Sequence, residues 1–405
     1  MRSGFAKAWT VAALAAAVGL GLAATPAQAQ QSIKIGWAIS KTGPYVAGAK
    51  ITLLDAYQLW VKDVNDAGGI MLKSAGKKVP VEVIEYDDRS NSDEMIKALE
   101  RLINQDKVDF LFPPWGTAFS LASAPVFARA GYPQLLVTAT TDRAPEFAKR
   151  WPNSFWLLGT ATMMADSAVE VFSKLRTEGK IGHTIALIGV ADQFGIELST
   201  AARAALKKAN FNVVYDKSYP LGTQDMQPIL TEAMRSNADV FFAASYPPDT
   251  FAIIDQAKVL NYNPKIFFTS VGTAFPVIRA RFGANAQGIM GTGGWNADSP
   301  SLKAYLKRHV EVHKSEPDRW ASPVTYSSLQ MLQQAIERVG LDRAAVIKEL
   351  QTGTFDTVYG KVKLENNQFL GVFQTGQWQD GEYYGIGPTQ LAGARKPIDK
   401  PAWKQ

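Results

Sequence analysis

The chain has 405 residues, 46% hydrophobic and 20% charged, with no cysteine and a formal net charge of +6. That length fits two domains better than one, and the lack of cysteine excludes a disulfide framework and a lipobox anchor. The charge is spread through mixed-sign stretches such as 92–107 and 306–319, with no basic stripe interleaved with aromatics, which argues against a nucleic-acid partner.

Arg2 and Lys7 precede an apolar run from Val11 to Ala24, and Ala27-Gln28-Ala29 closes it with a small-x-small cleavage pattern. Residues 1–29 therefore read as a signal peptide that directs the chain to the periplasm. Its removal leaves 376 of the 405 residues and lowers the net charge from +6 to +4. No later stretch is long and apolar enough to suggest a membrane span.

The mature chain opens with a strand, IKIGWAI at 33–39, that runs into the loop SKTGPYVAG. A helix over 49–64 ends at Ala67-Gly68-Gly69, a C-terminal capping signal. Strand VPVEVIEYDD then leads to a helix in which Asn91 and Glu94 have capping-box spacing. After WPNSFWLLG come a helix over 163–175, strand HTIALIGV, loop ADQFG and a helix over 196–209. The Gly-rich GIMGTGGWNADSP reads as a crossover and not as a core strand. Helices over 301–314, 324–339 and 343–351 and a few short strands follow, and LAGARKPIDKPAWKQ reads as a polar, poorly ordered end.

One pattern occurs twice, at 108–141 and at 239–274: an apolar run, a Pro-Pro beside an aromatic, a helix, a second apolar run and a Thr/Ser/Gly loop. Runs such as VDFLF, QLLVT, DVFFAA and KIFFT have the continuous apolar character of parallel strands buried on both faces. Helical crossovers gather the loops that follow such strands at one sheet edge, where open α/β sheets bind ligands. Two copies predict two α/β lobes with a cleft between them.

The opening IKIGWAISKTGPYVAGAK, DAGGI at 66–70, Tyr86-Asp87-Asp88, ADQFG, SYPPDT and Asp356-Thr357-Val358-Tyr359-Gly360 carry a resemblance. In their order the chain resembles the periplasmic leucine/isoleucine/valine-binding proteins of ABC transporters over essentially its whole mature length. The resemblance implies a type I periplasmic binding protein fold, two doubly wound α/β lobes joined by three crossovers. One lobe would comprise 31–156 and 293–372, the other 157–292 and 373–405. It also implies a monomer without cofactors that closes on a small carboxylate ligand and delivers it to an ABC permease in the inner membrane. A ligand sensor on the same fold, signalling to a receptor, is the alternative.

Catalytic motifs are missing. The histidines are His183, His309 and His313, and the last two share a helix face at i, i+4 without a third ligand or an HExxH motif. A solvated face is the expectation for that pair. There is no G-x-S-x-G elbow, and GTGGWN is no phosphate loop, so no enzyme and no metal site is expected.

The loop 113–119 ends at a helix start, where free backbone N–H groups and the helix dipole favour an anion. Gly116 permits close backbone approach there and Thr117 adds a hydroxyl, although Thr117 could equally be a plain N-cap. The resemblance gives Thr117 the ligand carboxylate, with Thr140 and Thr141 of the following Thr-rich loop as helpers. It places Phe194 and Tyr246 over the ligand from the other lobe, and Trp115 and Tyr45 add ring surface. Val271 falls where the family carries the acid that pairs an amino acid's ammonium, and no Asp or Glu occurs from Pro264 to Ala297. Asp142, Asp192 or Asp249 would have to replace it. The expected ligand is therefore an aromatic or branched acid lacking the amino group, with an ordinary branched-chain amino acid as the alternative.

Overall fold

The computed structural model describes residues 32–404, so the expected signal peptide lies outside the described residues. Among the described residues no helix is long and apolar enough to cross a membrane.

In the first lobe, strand Ile33–Ile39 lies between Val81–Asp87 and Phe110–Phe112, all parallel. Ile33, Ile35, Trp37 and Ile39 feed one core, and Ala38 faces Met95, Leu99 and Leu102 of helix Ser92–Asn104 on the other side. Burial on both faces is what a parallel sheet requires. Trp37 stacks on its register partner Phe112 with ring centroids 5.6 Å apart. Gln134–Leu136 and Ser154–Trp156 form a further parallel pair.

The second lobe holds seven strands in the order Asn212–Tyr219, Thr184–Val190, Val240–Ala244, Ile266–Thr269, Met290–Thr292, Thr375–Gln379, Glu382–Gly387. The first five run parallel, and Thr375–Gln379 is antiparallel to both of its neighbours, Met290–Thr292 and Glu382–Gly387. The chain passes between the lobes after Ser154–Trp156, after Met290–Thr292 and before Thr375–Gln379. On its second visit to the first lobe, helix Ala321–Val339 packs against helix Asp55–Asp66, where the Tyr326 hydroxyl donates to Asp63 at 2.6 Å.

The doubled pattern becomes strand Phe110–Phe112, helix Thr117–Ala130 and strand Gln134–Leu136 in one lobe. Its counterpart is Val240–Ala244, helix Pro247–Val259 and Ile266–Thr269. The two Pro-Pro pairs play different parts. Pro113-Pro114 belongs to the loop, whereas Pro247 and Pro248 begin the helix, where a missing N–H leaves no helical bond unmade.

Several expectations need correction. Met290–Thr292 is a central strand and not a crossover: a Cβ on Gly291 would lie 2.3 Å from the Thr269 carbonyl oxygen, so close packing explains the glycine. The C-terminal tail is docked, with the Trp403 indole N–H donating to the Tyr262 carbonyl at 2.7 Å and Gln377 bonding both ways with Ile398. The capping box is half formed. Asn91 accepts from the Asp93 and Glu94 N–H groups, but the Glu94 carboxylate pairs with Lys97. Helix Ala321–Val339 starts earlier than its apolar pattern because Asp318 accepts from the Ala321 and Ser322 N–H groups at 2.9 and 2.6 Å.

Candidate functional site

Gly116 caps helix Thr117–Ala130 with φ 87°, a conformation that a side chain would strain. Thr117 is thus the first helical residue and not the N-cap. Its buried hydroxyl accepts from the Thr140 N–H at 3.3 Å and lies 3.5 Å from the Thr140 hydroxyl. The Gly116 N–H donates to Thr138 Oγ1 at 3.0 Å, and the Trp115 indole N–H donates to Thr52 Oγ1 at 3.0 Å. One short loop therefore ties the helix start to the Thr-rich loop after the next strand. Thr141 turns elsewhere, its hydroxyl accepting the Arg143 N–H at 3.2 Å beside helix Ala144–Arg150.

Tyr246 faces this loop from the second lobe, at the start of helix Pro247–Val259. Its ring stacks on Phe194 at 4.9 Å and meets Trp115 at 5.1 Å and Tyr45 at 5.9 Å across the cleft. Its hydroxyl lies against the Asp192 carboxylate and the Thr117 backbone N–H. Tyr45 also touches Trp115 and Phe119 at 5.1 and 5.3 Å. Burial, with help from Asp192 and Asp88, pushes the Tyr45 hydroxyl up to about 12, and burial raises Tyr246 well above the tyrosine range. Both hydroxyls stay protonated and able to donate at neutral pH.

Of the residues expected at the site, Trp115, Thr140, Phe194, Tyr246 and Val271 line one enclosed cavity between the lobes. Tyr45, Gly116 and Thr117 adjoin it through the contacts above. Thr52, Thr138, Leu158, Phe275, Trp320 and Ala321 complete the wall and were not anticipated. Thr138 had a visible signal, the same strand-end loop as Thr140. Trp320 had none in the helical periodicity, because Asp318 extends its helix backward from Val324. The cavity measures about 20 Å³, room for about one water molecule, so admitting a larger molecule requires the two lobes to separate. Larger clefts of about 510 and 570 Å³ lie on outer faces, but each is open and built within one lobe.

Among the described residues no Asp, Glu, Lys or Arg lines the interlobe cavity. Of the three aspartates that might replace an acid at Val271, Asp142 is bound to the N–H and hydroxyl of Thr162 at 2.8 and 2.9 Å. Asp249 is fully buried beside Tyr219, and burial pushes its carboxyl up to about 6. Asp192 accepts the Gly195 N–H at 2.8 Å, its second oxygen is buried without a firm partner, and burial raises its pKa.

The histidine pair is not a solvated face. His309 is fully buried, its Nδ1 is 2.8 Å from the Ser315 carbonyl, and burial brings it down to about 4. His313 Nε2 is 2.8 Å from the Asp55 carbonyl oxygen. Among the described residues no group of three ligands could hold a metal.

A family model described as periplasmic binding protein matches residues 32–382. The Leu/Ile/Val-binding protein of Escherichia coli (strain K12) is 23% identical over 346 residues, 85% of this chain and 90% of that protein. Among solved structures, a solute-binding protein from R. palustris in complex with benzoate superposes with a TM-score of 0.76 at 17% identity, covering 91% of this chain and 99% of that one. A branched-chain amino acid transporter substrate-binding protein from Streptococcus pneumoniae in complex with isoleucine gives 0.73 at 20% identity, covering 87% and 97%.

Proposed function

The chain belongs to the periplasmic binding protein family, and on that premise we propose that it is the solute-binding component of an ABC importer whose ligand is an aromatic or branched carboxylate without an amino group. One observation carries the reading: among the described residues the interlobe cavity is walled by rings, aliphatic side chains and neutral hydrogen-bonding groups with no charged side chain, and Val271 is on its wall. Such a cavity offers a carboxylate several donors. The Thr117 and Thr140 hydroxyls and the N–H groups at the start of helix Thr117–Ala130 would take its oxygens. Trp115, Phe194 and Tyr246 would enclose its apolar body. Benzoate in the R. palustris relative supports this class.

Binding works by closure. A ligand that bridges Thr117 in one lobe and Tyr246 in the other stabilises the closed form by contacts that the open form lacks. Closing also removes water, which strengthens each hydrogen bond inside. The closed protein would then present the loaded lobes to a permease in the inner membrane, the signal peptide having directed it to the periplasm.

A thermal-shift screen tests the reading: benzoate, 3-phenylpropanoate and 4-methylpentanoate should raise the melting temperature, and leucine should not. A rise with leucine alone would overturn it. One observation favours that second reading, an ordinary branched-chain amino acid as ligand. The Asp192 oxygen that is buried without a firm partner, beside Tyr246, could meet an ammonium.

Thr117→Val removes a hydroxyl from the carboxylate end. A hydrogen bond to a charged group is worth about 1.5 to 3 kcal/mol, so affinity should fall about ten- to a hundredfold by calorimetry. An unchanged affinity with a lower melting temperature would make the hydroxyl purely structural, serving only the Thr140 N–H.

A further inference from the structure

Trp320 is 3% exposed and lines the interlobe cavity, yet no acceptor among the described residues reaches its indole N–H. The other buried tryptophans set the contrast. Trp115 donates to Thr52, Trp378 to the Thr273 carbonyl, Trp403 to the Tyr262 carbonyl and Trp37 to Glu85 at 3.0 Å or less, and Trp156 donates to Ser154 and Trp295 to Glu382 at 3.2 Å. Trp60 shares the lack of an acceptor but sits in the core of the first lobe, away from the cavity wall.

The indole is also held in place. A Cβ on Gly293 would lie 2.3 Å from Trp320 Cγ, so the ring rests directly on that backbone. On the other side, Asp318 accepts from the N–H groups of Trp320, Ala321 and Ser322, which anchors the start of the helix. A buried, immobilised donor without an acceptor is unfavourable, and an acceptor brought to it is worth a hydrogen bond.

We propose that Trp320 reads a second hydrogen-bond acceptor on the ligand, separate from its carboxylate, so that the preferred acid carries an oxygen substituent where it meets the indole. This rests on the assignment of the cavity to a carboxylate without an ammonium. Thr117, Thr138 and Thr140 already supply hydroxyls from the two strand-end loops, whereas Trp320 comes from a different element and offers one N–H. An indole N–H only donates, so it matches a phenolic, ether or keto oxygen and gains nothing from a methyl group. Trp320 is then a specificity-determining residue: it selects oxygenated aromatic acids over their hydrocarbon analogues.

The test is calorimetry of the ligand-free protein with benzoate and with the hydroxybenzoates and methylbenzoates substituted at each ring position. One hydroxy isomer should bind about ten- to a hundredfold more tightly than its methyl counterpart. Trp320→Phe should abolish that preference, weakening the hydroxy isomer about ten- to a hundredfold more than it weakens benzoate. In the wild type, the Trp320 indole proton resonance should move downfield with that isomer and not with the methyl one, which decides the matter should the variant fail to fold. Equal affinities for hydroxy and methyl isomers would overturn the proposal, as would a preference that survives Trp320→Phe. So would benzoate weakening as much as the hydroxy acid, because the indole would then be serving the carboxylate. Leucine binding with no heat from any benzoate would instead remove the underlying ligand assignment, and this inference with it.

Discussion

Val271→Glu is expected to exchange the ligand preference of the protein. Val271 sits on the cavity wall, and its backbone is fixed on both sides: its N–H donates to the Ser245 carbonyl at 3.0 Å and its carbonyl accepts from the Thr250 hydroxyl at 2.7 Å. A new side chain there must therefore point where the valine points. A carboxylate in that place has no cation to pair with and would stand close to the ligand's own carboxylate. Leaving a buried charge unpaired costs several kcal/mol, roughly 3 to 5 by measured removals of one partner. Benzoate or 3-phenylpropanoate should thus lose at least about a hundredfold in affinity, while phenylalanine or leucine, whose ammonium would pair with Glu, should gain. Val271→Leu is the control and should leave the acids bound. Calorimetry on the two variants reads both effects, and unchanged binding of the acids by Val271→Glu would place the ligand elsewhere.

The amino group of the ligand is expected to have the second large effect. An ammonium carried into the closed cavity gives up its water and meets Thr hydroxyls, rings and Val271, none of them charged. The penalty is again several kcal/mol, and at about 1.4 kcal/mol per tenfold it amounts to a preference of a hundredfold or more for the desamino acid. Asp192 is the group that would reduce it, since its carboxylate is buried against the Tyr246 hydroxyl. Burial raises the Asp192 pKa, against hydrogen bonds from Gly195 and Tyr246 that lower it.

The strand-end loops were legible because parallel strands force them to one edge. The doubled pattern pointed to two lobes with a cleft between their strand-end loops, and the family resemblance set Tyr246 in the facing lobe, where its ring meets Trp115 at 5.1 Å. Alternation along the Thr-rich loop was not legible. Thr138 and Thr140 line the cavity, while Thr141 begins a turn toward Arg143, a difference set by the following helix and not by residue type. Trp320 could not be found from apolar periodicity, because it lies in the backward extension of a helix capped by Asp318. The docked tail was missed for a related reason. Its polar composition hides one anchoring side chain, Trp403, which meets Phe267 edge-on at 5.4 Å. Met290–Thr292 was misread because its glycine signalled a loop, when a crowded neighbour in the sheet was the cause.

If the two lobes close on a carboxylate that carries no ammonium, titration of refolded, ligand-free protein will separate 3-phenylpropanoate from phenylalanine and 4-methylpentanoate from leucine, pairs that differ only in the amino group. The desamino member of at least one pair should bind a hundredfold or more tightly than its amino acid. Submicromolar binding of leucine or phenylalanine, with no heat from either desamino acid, would contradict the account.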